Sequence, residues 1–338
     1  MSNEMSDHKD LKSVRSNSVS ELADRQRQPV LVICGPTASG KSATAILVAQ
    51  AINGEIISAD SMQIYRGLDI GTAKVTPEEQ QQVPHHLIDC CEPGDFFSVA
   101  AFKTLAAQAI LDIQARGHVA IICGGTGQYI SALVEGIDFV EIEADPQLRE
   151  QLNHRAAHEG LEQLYAELQQ IDPQAASVIK PRDQKRIIRA LEVFYQTGKR
   201  QSEHQAESKL NGPSFDFMIF CLTHDRPVLY ERINRRVVAM FAAGLVEEVR
   251  GLMKNHPALR NGSTAWQAIG YKEVLAFLNG EQTEQAAIDL IAQSSRRYAK
   301  RQLTWFRRFS NTIWLENLTP KQAAGQIVTL WNNLVHND

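Results

Sequence analysis

The chain has 338 residues, 43% of them hydrophobic and 22% charged, so it can bury a full core with material left for a second, smaller unit. Its net charge of −4 makes no case for nucleic acid by itself, because a polyanion is held by local basic surface and not by a basic total. The five cysteines show no C-x-x-C pairing, and no segment runs for about 18 apolar residues, which excludes a zinc ribbon, a disulfide framework and a membrane span.

The opening stretch up to Gln28 is polar and nearly free of large apolar residues; it reads as a disordered tail without the apolar centre of a signal peptide, and the expected location is the cytoplasm. Val30 to Cys34 (VLVIC) is short, apolar and β-branched, and is followed at once by Gly and Pro, as a buried parallel strand would be. A helix from Lys41 to Ile52 then keeps Ala45, Val48, Ala49 and Ile52 on one face. EIIS (Glu55 to Ser58) and HLI (His86 to Ile88) are predicted strands, Val99 to Gln114 a helix, and VAIIC (Val119 to Cys123) a strand. This alternation predicts an α/β core with a largely parallel sheet.

From Asp138 to about Lys209 the texture turns Gln-, Ala- and Glu-rich and helical, which predicts a helical insertion between core segments 29–137 and 210–338. A strand returns at FDFMIFCL (Phe215 to Leu222). Everything after it reads helical, with a turn around His256 to Ser263 marked by Pro257 and Asn261-Gly262.

Gly35-Pro36-Thr37-Ala38-Ser39-Gly40-Lys41-Ser42 fits G-x-x-x-x-G-K-[ST] and sits between a strand and a helix, the context a phosphate-binding loop requires. Backbone N–H groups curl round an anion, the helix start adds positive potential, Lys41 supplies a charge and Ser42 is placed to hold Mg²⁺. ATP is the ordinary occupant of such a loop. Asp60, after the second strand, lies on the same sheet edge, either as a group that reaches the phosphates or as a turn cap, and Gln63 and Tyr65 beside it suggest a binding surface. Gly124-Gly125-Thr126 follows another strand in the same manner.

Arg232 and Arg236 are one turn apart on a helix whose other face carries Leu229, Ile233, Val237 and Met240; they form a diphosphate clamp or a solvated face. RRYAKRQLTWFRRF (Arg296 to Phe309) has six basic residues and no acidic one. Helical spacing puts Arg297, Arg301, Thr304 and Arg308 on one face, and Ile291, Tyr298, Trp305 and Phe309 on another that reads as core. A second basic cluster, Lys180, Arg182, Lys185, Arg186 and Arg189, lies in the helical insertion. Two such clusters in an acidic chain argue for a bound polyanion. His85, His86, Asp89, Cys90 and Cys91 are crowded in sequence, but neighbours on a strand point to opposite faces, so packing is the expected role and metal binding is not.

The strings GPTASGKS, DSMQIY, GLDIGTAK, HHLID, GGTGQY, RIIRALEV, GLVEEV, AIGYKE and AKRQLTWFRR together resemble the tRNA dimethylallyltransferase family over nearly all of the chain after Pro29. The resemblance implies a P-loop core with a helical insertion, dependence on Mg²⁺ and dimethylallyl diphosphate as donor. As acceptor it implies the exocyclic amine of the adenine 3′ of the anticodon in the tRNA anticodon stem-loop. Asp60 would then be the general base, Thr37 a phosphate partner and Arg236 a diphosphate contact. Asp60, Ser61, Met62, Gln63, Thr126, Arg149 and the run Lys185, Arg186, Ile187, Ile188, Arg189 would meet the tRNA, with Arg297 and Arg301 on the basic helix. Lys185 stands where the family commonly has Gln. A small-molecule kinase would leave the basic clusters idle, an adenylate isopentenyltransferase would take a free nucleotide, and a nucleotide-gated RNA-binding module would need no Asp60. A monomer is expected.

Overall fold

The computed structural model describes residues 28–137, 145–210, 212–257 and 263–335. The expected disordered tail, except for Gln28, and the Asn261-Gly262 turn lie outside them. In chain order the elements are β1 (Val30–Cys34), α1 (Lys41–Ile52), β2 (Gly54–Ser58), α2 (Pro77–Gln82), β3 (His85–His86), α3 (Val99–Ala115), β4 (Val119–Gly124) and α4 (Gly127–Val134). Five helices follow: α5 (Pro146–His158), α6 (Leu161–Ile171), α7 (Pro173–Val178), α8 (Gln184–Thr197) and α9 (Gln201–Leu210). The chain then runs through β5 (Phe217–Thr223), α10 (Arg226–Ala242), α11 (Leu245–Asn255), α12 (Tyr271–Leu278), α13 (Glu284–Phe306), β6 (Thr312–Glu316) and α14 (Pro320–Val335).

The six strands form one sheet in the order β3-β2-β4-β1-β5-β6, and every pairing is parallel. Alternate residues feed opposite faces. Val30, Val32, Cys34, Ala120 and Ile122 pack with Phe102, Ile110 and Ile130 of α3 and α4, whereas Leu31, Ile33, Val119 and Ile121 pack with Ala45, Val48, Ile327 and Trp331 of α1 and α14. Because all strands run the same way, the segments leaving the C-terminal ends of β1, β2 and β4 open on one edge. The register Cys34↔Gly124 and Ser58↔Cys123 sets those ends level.

Two predicted elements differ. Of HLI only His86 lies in a strand, the two-residue β3 it shares with His85, because Leu87 (φ 60°) and Asp89 (φ 55°) turn the chain into the left-handed region. The region after β5 is not all helical: β6 adds an edge strand, pairing Thr312 to Glu316 with Ile219 to Thr223. Thr312, Ile313 and Trp314 are good strand formers, but five residues between two long helical patterns carry little periodic signal.

α5 to α8 bury their own apolar cluster around Leu152, Leu164, Leu168, Ile187 and Leu191. A further cluster joins α10 to α13 with Ile64, Tyr65 and Leu68 of the segment after β2. Tyr65 is fully buried there, so it packs instead of forming a binding surface. Among the described residues no helix is long and apolar enough to cross a membrane.

Candidate active site

The switch edge of the sheet holds a cavity of about 280 Å³, walled by Thr37, Lys41, Ser42, Asp60, Arg236 and Arg301 among others. The loop after β1 needs its first glycine: a Cβ on Gly35 (φ 150°) would lie 2.4 Å from the Leu222 carbonyl oxygen. Ala38 takes a left-handed φ of 64° without being glycine. The helix α1 starts at Lys41 with no side chain capping it, so its first amides are left for an anion. Burial holds the Lys41 ammonium below the ordinary lysine range, while Asp60 is among the groups that oppose the shift.

Four side chains from outside the loop hold its backbone or hydroxyls. Arg236 Nη1 donates to Thr37 Oγ1 at 3.3 Å, Arg232 Nε donates to the Ala38 carbonyl at 2.8 Å, and His224 Nε2 donates to the Ser39 carbonyl at 3.1 Å. The two arginines of α10 therefore serve the loop and not a solvated face. Burial lowers the Arg236 pKa, with the Asp60 carboxylate opposing. Gln302 of α13, which is buried, accepts the Thr37 N–H at 2.9 Å and donates to the Gly125 carbonyl at 2.8 Å.

Asp60 is partly exposed on the cavity wall, and its Oδ1 accepts the Met62 N–H at 3.0 Å. The carboxylate therefore caps its own turn and still faces the cavity. Ser61, Met62 and Gln63 line the same wall. Thr126 stands beside it, its Oγ1 accepting the Ser61 N–H at 3.0 Å and its own N–H reaching the Ala59 carbonyl. Gly124 has no room for a side chain, since a Cβ would sit 2.1 Å from the Ala59 carbonyl oxygen.

On α13, Arg297 and Arg301 are exposed and Arg301 reaches the cavity, its guanidinium 5.6 Å from the Tyr298 ring centre. Arg308 lies past the last turn, over the Trp305 ring at 5.1 Å. Tyr298, expected in the core stripe, lines the cavity. Its pKa is pushed up to about 12 by burial and then by the Asp60 charge. The second basic cluster gathers Arg149, Lys180, Arg182, Lys185 and Arg189 round one hollow, with Arg186 exposed beside it. Arg149 is held bidentately by Glu192 (2.5 and 2.8 Å), a strut that leaves half of its side chain exposed. Ile187 is buried among Leu164, Leu168 and Leu191 on the apolar side of α8, whereas Ile188, also largely buried, lines the hollow between the basic residues.

The crowded histidines and cysteines separate: His86 Nε2 bonds the Glu55 carboxylate at 2.6 Å, His85 Nδ1 the Val83 carbonyl, and Asp89 pairs with Lys74 at 2.5 Å. Among the described residues no group of three or more His, Cys, Asp or Glu is arranged to hold a metal ion. Cys34, Cys123 and Cys221 are buried, and burial pushes the Cys123 thiol up to about 11.

Gln302, His224 and Tyr298 are the site residues that spacing alone does not single out. Gln302 and Tyr298 lie within the basic segment, where the charges dominate the pattern.

The family model described as IPP transferase matches residues 63–309. A tRNA dimethylallyltransferase of an Exiguobacterium species is 48% identical over 291 residues, 86% of this chain and 91% of that protein. One from Bacillus subtilis is 45% identical over 294 residues, 87% and 92% of the two chains. Among solved structures, the tRNA isopentenylpyrophosphate transferase of Bacillus halodurans is 40% identical with a TM-score of 0.66, covering 91% of this chain and 99% of that one. A eukaryotic dimethylallyltransferase described as acting on tRNA is 29% identical with a TM-score of 0.78, covering 91% and 79%. With a match that takes in α10 and α13, the helices that steady the P-loop, and relatives this similar over most of their length, the chain belongs to the IPP transferase family.

Proposed function

We propose that the protein transfers a dimethylallyl group from dimethylallyl diphosphate to the exocyclic N6 amine of the adenine 3′-adjacent to the anticodon (position 37) of tRNA, releasing diphosphate. The observation that carries the reading is one cavity shared by the phosphate loop, the Asp60 carboxylate and Arg236, with the exposed basic residue Arg301 at its wall.

In the reaction the C1–O bond of the donor breaks and its electron pair leaves with the diphosphate, while the adenine nitrogen forms the new bond to C1. The loop amides, Lys41 and Arg236 stabilise the charge that develops on the leaving group. Asp60 takes the proton from the amine, whose low basicity otherwise leaves it a poor nucleophile. The oxygen donors of Ser42, Thr37 and Asp60 on the wall fit a hard cation that takes its other ligands from water and phosphate. Mg²⁺ held by Ser42 would neutralise part of the departing charge. The adenine must leave its stack to reach the cavity. Ser61, Met62 and Gln63, with Thr126 behind them, meet the base; Arg149, Lys185, Arg186 and Arg189 meet the backbone of the anticodon stem-loop, on the helical insertion that spans residues 138–209. A monomeric, cytoplasmic enzyme is part of this proposal.

Incubation with labelled dimethylallyl diphosphate, Mg²⁺ and either tRNA, AMP or ATP tests the assignment. Label is expected on tRNA alone. Label on AMP or ATP would make the protein an adenylate isopentenyltransferase, and phosphoryl transfer from ATP would make it a kinase.

A further inference from the structure

Most of the groups at the site reach it from the sheet edge or from α10. Gln302 comes from α13, the helix that also carries the exposed Arg297 and, next to Gln302, the exposed Arg301. Its amide is used at both ends: Oε1 accepts the Thr37 N–H at 2.9 Å, and Nε2 donates to the Gly125 carbonyl at 2.8 Å. It is buried, and no charged group could replace it without leaving one of these two backbone partners unmatched. Its two partners lead to the two halves of the chemistry. Thr37 belongs to the phosphate loop and takes the Arg236 hydrogen bond. Gly125 precedes Thr126, whose hydroxyl accepts the Ser61 N–H beside Asp60. The fit is close on the Gly125 side, where a Cβ would come 2.3 Å from Gln302 Nε2. The Thr37 N–H, satisfied by Gln302, is also removed from the set of loop amides that face an anion, so the loop binds with the amides further along.

We infer that Gln302 is a positioning residue that clamps the phosphate loop to the Gly125-Thr126 loop, setting the diphosphate cradle and the Asp60 turn in one fixed relation. Gln302 lies on the cavity wall, but both ends of its amide are taken by backbone partners, so it acts through Thr37 and Gly125. The inference rests on the reading of the cavity as the site of prenyl transfer. A clamp of this kind works by geometry, and misplacement of about 1 Å can cost about 10²-fold in rate.

The test uses the full-length protein with Gln302→Met, which keeps the volume, Gln302→Ala, Gly125→Ala, and the double variant of the last two. Binding of inorganic pyrophosphate by titration calorimetry, binding of tRNA, the melting temperature, and kcat and KM for dimethylallyl diphosphate are measured on each. Gln302→Met is expected to melt near the wild type and bind tRNA as well, yet to bind pyrophosphate about 10-fold more weakly and to lose about 10²-fold in kcat. Gly125→Ala, which drives Gln302 off its partners, should reproduce that pattern, and adding it to Gln302→Ala should cost little more. A packing role predicts the reverse, with Gln302→Met restoring affinity and rate together with stability. That result, or fully additive losses in the double variant, would overturn the clamp. The wild-type arm judges the activity separately: if it moves no label to tRNA, the proposed reaction falls, while pyrophosphate affinity still decides whether Gln302 sets the loop.

Discussion

Glu248 Oε1 accepts the Tyr271 hydroxyl at 2.7 Å, while the same carboxylate takes the backbone N–H groups of Asp69, Ile70 and Gly71 at 3.0, 2.6 and 3.1 Å. Three of the strings that mark the family, GLDIGTAK, GLVEEV and AIGYKE, thus converge on one carboxylate that braces the cavity wall at Gly71. Burial, and then the charge of Glu248, pushes the Tyr271 hydroxyl well above the ordinary tyrosine range, so it remains a donor. Glu248→Ala strips the acceptor from these donors. It is expected to cost about 3 kcal/mol, read as a lower denaturant midpoint at unchanged slope.

In the proposed reaction Asp60 takes the proton of the adenine amine. Asp60→Ala should lower kcat by about 10²- to 10⁴-fold with tRNA affinity close to wild type, since the carboxylate contributes no positive surface. Near-normal transfer by this variant removes Asp60 from the base role.

Arg301 is exposed and stands at the cavity wall, where an incoming strand would pass. Arg301→Ala should weaken tRNA binding and reduce the slope of log affinity against log salt by about 1. Filter-binding or anisotropy titrations across a salt series measure it; an unchanged slope excludes a phosphate contact.

Glu55 is buried beneath the β3 edge and accepts from Arg116 (2.7 Å), His86 (2.6 Å) and His118 (2.7 Å). Burial alone would raise its pKa, but these three partners hold it down to about 2. A carboxylate lowered by folding stabilises the native state above its unfolded value of about 4.3. That contribution is lost as pH falls from there through about 2. Unfolding free energy measured from pH 6 downward should therefore fall more steeply for the wild type than for Glu55→Gln, which is destabilised already at neutral pH. Parallel curves would show that Glu55 does not set the acid limb.

The P-loop and four of the parallel strands are legible in the chain because each is local: an apolar run, a glycine turn and a helix start follow one another within a few residues. The Gln302 to Thr37 contact spans 265 positions, and no periodicity reports such a pairing. Arg232 and Arg236 illustrate the same limit, since i and i+4 spacing fits a solvated face as well as the loop clamp they form. Ile187 shows a further one: a run that matches a motif as a string is divided by helix geometry between an exposed basic side and a buried apolar side. The strand β6 was hidden by its brevity, and Tyr65 by its place beside residues that do face the cavity.

In the proposed reaction the loop from Gly35 to Ser42 cradles the diphosphate of an allylic donor and not ATP. The most direct measurement follows diphosphate release, ATP consumption and prenyl content of tRNA in one reaction containing wild-type protein, Mg²⁺, dimethylallyl diphosphate, ATP and unmodified tRNA. Diphosphate and prenylated adenine are expected in equal amounts, with ATP untouched. Consumption of ATP without prenylated tRNA would contradict it.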